Sequence, residues 1–356
     1  MANIAILSIY SGTVERGVET FVYELSKRLS KKHKITIFQA GTVIKNPEVR
    51  TYNIKSYSQK PKTAKNLFSK LYLDIQSLKI LLFTLKVMVK LFKGKYDLII
   101  PVNGGWQAVI IRVISKFIGA KVLISGHAGI GADDAWNIFT RPDVFVALTA
   151  AEKVWAKKIA PEMRIEMIPN GVDLSTFNPQ VKPKNVPLQK PIVICASALD
   201  PYKRVDLTIR AVAKSKNLSL LLLGDGELAG QLDALGKRLL GKRYLRLNMQ
   251  YNQMASYYRV GQIFTLASQT EAFGISYLEA MACNLPIVTT GDSSREEIIG
   301  NAGILTNPQN IDQYAKDLQL AANTNYRNLP YNQALNFSWN KISQQYIKLI
   351  NNLIIK

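Results

Sequence analysis

The chain has 356 residues, of which 47% are hydrophobic and 20% are charged, so it can form the packed cores of about two ordinary domains and is not a disordered chain. Its 46 Lys and Arg outnumber its 25 Asp and Glu, which gives a net charge of +21 and favours an anionic partner or surface. Two cysteines and two histidines exclude a disulfide framework and a histidine-rich metal site, and they fit a reducing compartment.

The first half of the chain alternates short apolar runs with helical patterns. The sequence predicts a helix after the first strand, with Phe21, Leu25 and Leu29 on one face, and another at 108–117. Buried strands that alternate with helices indicate a parallel α/β sheet. The predicted strands of this half are 3–9, 34–38, 97–102, 121–125 and 143–148.

A long basic helix is predicted at 66–94, within a stretch (27–95) that holds 17 Lys and Arg and two Asp and Glu. Two interpretations stay open. The helix covers a sheet and its lysines are solvated, or it lies on an anionic membrane surface. Nucleic acid is not the expected partner, because no helix-turn-helix, zinc-finger or aromatic RNA-binding motif is present. The apolar stripe is Leu67, Leu71, Leu78, Leu82, Leu85, Val89 and Phe92; the lysine row is Lys79, Lys86, Lys90 and Lys93; Phe68, Tyr72, Ile80, Phe83, Val87 and Leu91 belong to neither.

A proline-rich linker at 178–191 precedes a second α/β pattern. Its predicted strands are 191–196, 218–223, 263–267 and 286–290, with a helix at 206–214 and a last helix at 339–355. We therefore expect an N-terminal Rossmann-like domain at 1–180, a second at 190–336, and a helix at 337–356 that returns towards the first. Two such domains facing each other place a cleft between the carboxyl ends of their strands.

The most informative segment, 271–282, follows a predicted strand and opens a predicted helix near Gly274. Unpaired N–H groups and the positive dipole end in the first turn of a helix suit a diphosphate, and glycine lets the backbone approach it closely. Glu271 precedes this helix and can reach a sugar hydroxyl, while Glu279 lies about two turns on and can accept bonds from a ribose. Taken alone, two glutamates at this spacing fit surface carboxylates equally well.

This segment resembles the E-x7-E motif of the retaining glycosyltransferases of family 4, which have the two-domain GT-B fold. The resemblance extends over nearly the whole chain. Further similar segments are a glycine-rich loop at Gly17-Val18-Glu19, a linker entry at 169–173 with 177–179, a phosphate-binding loop at 199–206, and a region after the motif at 295–299 with 302–305. Two positions depart from the family pattern, since Arg16 replaces the first of two glycines and Ala198 replaces an arginine five residues before Lys203.

The resemblance implies that a sugar is transferred from a nucleotide-diphospho-sugar to an acceptor hydroxyl with retained configuration and without a metal or other cofactor. It implies catalytic roles for His127, Lys203 and Glu271. Lys203 offsets charge on the departing diphosphate, and His127, at the carboxyl end of a strand, hydrogen-bonds the donor sugar or the transition state rather than attacking it. The implied donor-binding residues are Arg16, Gly17, Arg204, Gly224, Phe273, Gly274, Ile275, Ser276 and Glu279.

The acceptor and the cellular role are less specified. We expect a glycan or a lipid-linked sugar as the acceptor, in cell-envelope, glycolipid or polysaccharide synthesis. The start of the chain does not resemble a signal peptide and no apolar run is long enough for a membrane span, so we expect a cytoplasmic protein that is either free or peripheral on the membrane. The alternative function is a catalytically inactive GT-B protein that serves as a membrane-surface subunit, for which Ala198 is the hint.

Overall fold

Two parallel β-sheets, each with helices packed on it, organise the chain into two units. Unit 1 comprises Met1–Asn170 and Trp339–Lys356, and unit 2 comprises Gly171–Ser338. The computed structural model describes residues 1–13, 17–41, 48–54 and 72–354. The predicted α/β class with two Rossmann-like sheets is confirmed.

The sheet of unit 1 has seven parallel strands. They are β1 (Asn3–Leu7), β2 (Lys34–Gln39), β3 (Val49–Asn53), β4 (Leu98–Pro101), β5 (Lys121–Ser125), β6 (Val144–Ala147) and β7 (Ile165–Met167). Their order across the sheet is β3-β2-β1-β4-β5-β6-β7. The helices of the first 170 residues are α1 (Gly17–Leu29), α2 (Ile75–Gly94), α3 (Gly105–Ile118), α4 (Ala132–Phe139) and α5 (Ala150–Ile159).

The central strands of unit 1 are apolar throughout because helices cover both faces of the sheet. Phe21 and Leu25 of α1 pack with Ile4 and Ile6 of β1 on one face. On the other face, α2 contributes Phe83, Val87 and Leu91, which pack with alternate residues of the same strands. A strand buried on both faces cannot alternate apolar and polar side chains, so the sequences of these strands are nearly continuous apolar runs.

Helix α2 begins later than the sequence predicts. Asp74 caps it, since its carboxylate accepts hydrogen bonds from the N–H groups of Gln76 and Ser77 at 2.8 and 3.1 Å. The predicted residues 66–71 lie outside the described ranges. None of the helices within these ranges is long and apolar enough to span a membrane.

The sheet of unit 2 has six parallel strands. They are β8 (Ile192–Ala196), β9 (Ser219–Leu223), β10 (Tyr244–Leu247), β11 (Ile263–Leu266), β12 (Ile287–Thr290) and β13 (Gly303–Thr306), in the order β10-β9-β8-β11-β12-β13. The helices are α6 (Val205–Lys214), α7 (Ala229–Leu240), α8 (Met254–Tyr258), α9 (Ile275–Ala282), α10 (Ser293–Ile299), α11 (Ile311–Asn323) and α12 (Leu329–Ala334).

The boundary between the units falls at Gly171, before the predicted linker. The residues that follow it are anchored in unit 2, because the Val172 N–H donates to the Phe337 carbonyl at 2.8 Å and the Phe177 ring lies 5.7 Å from that of Tyr251. The last helix, α13 (Trp339–Ile354), belongs to unit 1 and packs Trp339, Tyr346 and Ile350 into its core.

Candidate active site

The strand order of unit 2 reverses between β8 and β11. Strands β9 and β10 lie on one side of this pair, and β12 and β13 lie on the other. Ligands of open parallel sheets bind beyond the carboxyl ends of the strands at such a reversal. The loop after β8 carries Lys203 and the loop after β11 carries Glu271, so the topology brings these two predicted residues to one place.

Lys203 and Glu271 form an ion pair between Nζ and Oε1. Both side chains are only about one-tenth exposed, at 12% and 11%. Their loops are also joined through the backbone, because the Gln269 N–H donates to the Tyr202 carbonyl at 2.9 Å. The Tyr202 ring lies 4.9 Å from the Lys203 ammonium. The ammonium is therefore held in one position, and a carboxylate lies beside it.

Arg204 lies next to this pair, but its guanidinium is held by protein oxygens. Its Nε donates to the Ala267 carbonyl at 2.8 Å, and one Nη donates to the Thr290 hydroxyl at 3.4 Å. Burial and the nearby Arg295 lower the pKa of Arg204. Its predicted contact with the donor stays a prediction.

Arg295 was not predicted as a site residue, yet it is a fully buried cation close to Arg204. One Nη donates to the Ser268 carbonyl at 3.1 Å, and the other pairs with Asp292. Its Nε has no hydrogen-bond partner among the described residues. The sequence did not indicate this burial, because an arginine in the first turn of a helix is ordinarily exposed.

Helix α9 begins directly after Gly274, as the sequence predicts. Gly274 has a φ of +84°, and a Cβ there would lie 2.3 Å from the Tyr277 ring, so only glycine fits. The preceding Phe273 is buried, with its ring 6.0 Å from that of Phe337. Ile275 and Ser276 are partly exposed in the first turn, where N–H groups have no partner within the helix. This turn is able to bind an anion.

The loop after β9 packs closely on the loop after β8. Gly224 has a φ of +143°, and a Cβ there would lie 2.0 Å from the Ser197 carbonyl oxygen. The Leu199 N–H donates to the Asp225 carbonyl at 3.0 Å. Gly224 thus allows the loop after β9 to approach the loop after β8, which carries Lys203.

Glu279 is buried, and both oxygens of its carboxylate accept hydrogen bonds from tyrosine hydroxyls. Tyr251 and Tyr258 donate to its two carboxylate oxygens at 2.7 and 2.9 Å. Burial raises the pKa of Glu279 to about 7, although both hydrogen bonds oppose the shift. The sequence did not indicate these tyrosine partners, and the predicted contact with a ribose stays a prediction.

His127 belongs to unit 1, just beyond the carboxyl end of β5. Its ring packs edge-on against Phe21, with 4.4 Å between centroids. Its Nε2 is buried without a hydrogen-bond partner among the described residues. Burial lowers the pKa of His127 to about 4, so the imidazole is neutral at physiological pH. A neutral, unpartnered ring nitrogen is suited to hydrogen-bond a ligand.

Two buried carboxyl groups that the sequence did not single out lie near the loop at His127. Asp134 accepts hydrogen bonds from the N–H groups of Ala128 and Gly129 at 2.9 and 2.8 Å, and burial raises its pKa to about 6. Burial also raises the pKa of Glu152 to about 8. The T-A-A-E sequence ending at Glu152 is a capping-box signal that could have found it. Its carboxylate reaches the Leu148 N–H at 2.7 Å.

Two predicted residues remain. Gly17 is its first residue and is exposed, whereas Arg16 lies outside the described residues. In the described part of the chain, no three His, Cys, Asp or Glu side chains form a group that could hold a metal ion.

Two family profiles together match residues 16–335 of the chain. The sequence profile "Glycosyltransferase Family 4" matches residues 16–176, and the profile "Glycosyl transferases group 1" matches residues 177–335. The two matches follow each other without a gap. The chain belongs to the family 4 glycosyltransferases.

Curated relatives of this family 4 glycosyltransferase match over part of their length. A "Probable sucrose-phosphate synthase" of Thermosipho melanesiensis is 28% identical over 210 residues, which is 54% of this chain and 49% of that protein. A GDP-mannose-dependent phosphatidylinositol monomannoside mannosyltransferase of Corynebacterium glutamicum is 25% identical over 171 residues, which is 42% of this chain and 45% of that protein. The chain thus matches about half the length of these relatives, or less.

Solved structures support the GT-B fold. A sucrose-phosphate synthase from Thermosynechococcus elongatus superposes with a TM-score of 0.78 at 19% identity, covering 99% of both chains. The Anabaena protein HepE, solved with UDP and glucose, gives a TM-score of 0.72 at 18% identity, covering 99% of this chain and 100% of that one. At these identities the likeness concerns the fold alone.

Proposed function

We propose that this family 4 glycosyltransferase transfers a sugar from a nucleotide-diphospho-sugar to an acceptor hydroxyl. The observation that carries the proposal is the Lys203–Glu271 ion pair at the strand-order reversal of unit 2. The neighbouring helix α9, which starts at Gly274, supplies backbone N–H groups for an anion. GDP-mannose, named for one relative, and UDP with glucose, named for the HepE complex, are compatible with this class of substrate.

The chemistry depends on charge that grows on the diphosphate as the bond to the sugar breaks. A fixed ammonium and fixed N–H groups stabilise that charge without having to reorganise. In the proposed reaction Lys203 contacts the diphosphate, and Glu271 holds the Lys203 ammonium and accepts a hydrogen bond from the sugar. His127 hydrogen-bonds the sugar as a neutral imidazole. It is uncharged at neutral pH because its pKa is lowered to about 4.

The finer features of the proposal follow the family resemblance. They are retention of the anomeric configuration, independence of metal ions, and a glycan or lipid-linked acceptor in cell-envelope, glycolipid or polysaccharide synthesis on the cytoplasmic side of the membrane. Three cations of unit 2 support the metal-independent part, because they bring positive charge to the carboxyl ends of β8, β11 and β12: the fully buried Arg295 and the partly exposed Lys203 and Arg204.

A donor-turnover assay tests the proposal. UDP-, GDP- and ADP-sugars are first ranked by the increase in melting temperature that each produces, because a bound ligand stabilises the native state by mass action. Release of nucleoside diphosphate from the best donor is then measured. We expect Lys203→Ala and Glu271→Ala to abolish release, whereas Lys182→Ala and Glu162→Ala, at exposed positions, leave it unchanged.

The outcomes separate the two functions that the sequence allows. Release that survives both site variants contradicts the proposed site. A donor that binds through Lys203 but is never turned over by the intact protein, with any acceptor tried, favours the catalytically inactive alternative.

A further inference from the structure

Helix α2 presents an apolar face to solvent, opposite the face that packs on the sheet. Its buried face is formed by Phe83, Thr84, Val87 and Leu91. Six large apolar side chains between 41% and 75% exposed form the other face: Ile75, Leu78, Leu82, Leu85, Val89 and Phe92. Their spacing of three and four residues keeps them on one stripe of the helix. Packing against the described residues of this unit therefore does not account for them.

A row of lysines borders this stripe. At 100° per residue, Lys79, Lys86, Lys90 and Lys93 fall within about 60° of one edge of the stripe. The sequence contains no Asp or Glu between Asp74 and Asp97. Lys90 lies 4.7 Å from the Tyr52 ring, a cation–π contact that leaves its charge in place. The face is therefore apolar in its centre and positive along one side.

The neighbouring helix α3, which packs beside α2, adds apolar groups of the same kind. Its Val113 and Phe117, one turn apart, are 52% and 78% exposed. A large exposed apolar surface of this kind is uncommon on a monomer and usually marks an interaction site.

The charge distribution selects among the possible occupants. A second copy of the chain would bring four more lysines and no α2 carboxylate to pair with them. A nucleic acid would leave six apolar side chains against a phosphate backbone. An anionic lipid surface satisfies both parts, because its acyl region accepts the apolar side chains and its headgroups attract the lysines.

We propose that α2 docks flat on an anionic phospholipid surface, with its six-residue apolar stripe immersed and its lysine row against the headgroups. The 20-residue helix is about 30 Å long and would lie in the plane of the interface. This proposal depends on α2 and its neighbour alone, and not on the proposed function of unit 2.

Vesicle sedimentation in the absence of any donor tests it. Vesicles of phosphatidylcholine are compared with vesicles that also contain phosphatidylglycerol, at low and at physiological salt. The wild-type protein is expected to pellet with the anionic vesicles and to bind more weakly as salt increases. Each lysine near an anionic surface contributes roughly a fivefold change in affinity, so Lys79→Gln with Lys93→Gln should weaken binding more than tenfold.

The contribution of the apolar stripe to vesicle binding is tested by combining Leu82→Ser with Val89→Ser, which should abolish sedimentation. The melting temperature should not fall, because both side chains are exposed. Matched controls at exposed positions of unit 2, Leu320→Ser and Lys182→Gln, should bind like the wild type. Absence from the pellet at every salt and lipid composition overturns the proposal. So does equal weakening in the controls, or a dimer in solution that Leu82→Ser dissociates.

Because no donor is present, the vesicle result stands whether or not the protein turns over a nucleotide-sugar. Conversely, loss of donor turnover in Lys203→Ala leaves vesicle binding by α2 unaffected under the proposal. An experiment can therefore overturn one of the two proposals without overturning the other.

Discussion

Replacement of Gly274 by alanine tests whether the start of α9 has the conformation that anion binding requires. Gly274 combines a left-handed backbone, at φ +84°, with a Tyr277 ring only 2.3 Å from the position of an added Cβ. The ring cannot easily retreat, because Tyr277 is fully buried and its hydroxyl is hydrogen-bonded to Thr289 at 2.9 Å. Both the backbone strain and the overlap should therefore reduce stability.

The two contributions can be separated with a matched control. Gly119, at the end of α3, has a similar φ of +74°, but an added Cβ meets nothing within 4 Å. The backbone strain alone costs about 1–2 kcal/mol, so Gly119→Ala should lose that amount. The overlap adds about 1–3 kcal/mol for a side chain forced into a packed core. We therefore expect Gly274→Ala to lose roughly 2–5 kcal/mol.

Urea unfolding with two probes measures these losses. All four tryptophans lie in unit 1, so their fluorescence follows that unit, whereas far-ultraviolet circular dichroism follows both. Gly274→Ala should lower the midpoint of the circular dichroism transition and also weaken nucleoside diphosphate binding, because the first turn of α9 moves. Equal losses in Gly274→Ala and Gly119→Ala would refute the overlap argument.

Three further predictions concern the ionisable groups. Lys203→Ala should weaken nucleoside diphosphate binding in calorimetry by about 30-fold, the value of one charge-assisted contact, whereas Glu271→Ala should change it by less than about threefold. Glu152, with its pKa raised from 4.5 to about 8, releases its proton earlier in the unfolded chain, so it lowers stability progressively from pH 4.5 to 8. Glu152→Gln should therefore gain on the order of 3 kcal/mol over the wild type between pH 5 and pH 8. Asp134→Ala should lower kcat by about 100-fold, through displacement of the loop at His127, with little change in the KM of the donor.

The contrary results for these predictions are distinct. Equal weakening by Lys203→Ala and Glu271→Ala would mean that the ion pair matters only for structure. A stability difference between Glu152→Gln and the wild type that does not vary with pH would show that Glu152 is not held protonated. A rise in the KM of the donor at unchanged kcat in Asp134→Ala would remove its role as a positioning residue for His127.

The sequence predicted the central strands of both sheets and none of the edge strands. The nine predicted strands correspond to β1, β2, β4–β6, β8, β9, β11 and β12. The four strands it did not predict, β3, β7, β10 and β13, are the outermost strands of their sheets. An edge strand has one neighbour and is partly exposed, so its residues need not be apolar, as in Val49–Asn53 with its sequence VRTYN.

The candidate site was predictable where local backbone chemistry determines it. The start of α9 at Gly274 follows from a glycine between a strand and an apolar helix. The role of Lys203 was implied by the family resemblance and stays a prediction. The partners of Glu279 were not predictable, because Tyr251 reaches it from a turn and Tyr258 reaches it from another helix. The burial of Arg295 likewise depends on contacts between distant segments. The apolar residues of the basic helix that lie outside its predicted stripe, including Phe83, Val87 and Leu91, are the ones that pack on the sheet.

The central claim is that the diphosphate of a nucleotide-sugar binds between Lys203 and the first turn of α9. A crystal structure with the donor that most raises the melting temperature tests it directly. We expect diphosphate oxygens at about 2.7–3.2 Å from Lys203 Nζ and from backbone N–H groups that follow Gly274. A diphosphate bound elsewhere on the chain, with Lys203 still paired only to Glu271, would contradict it.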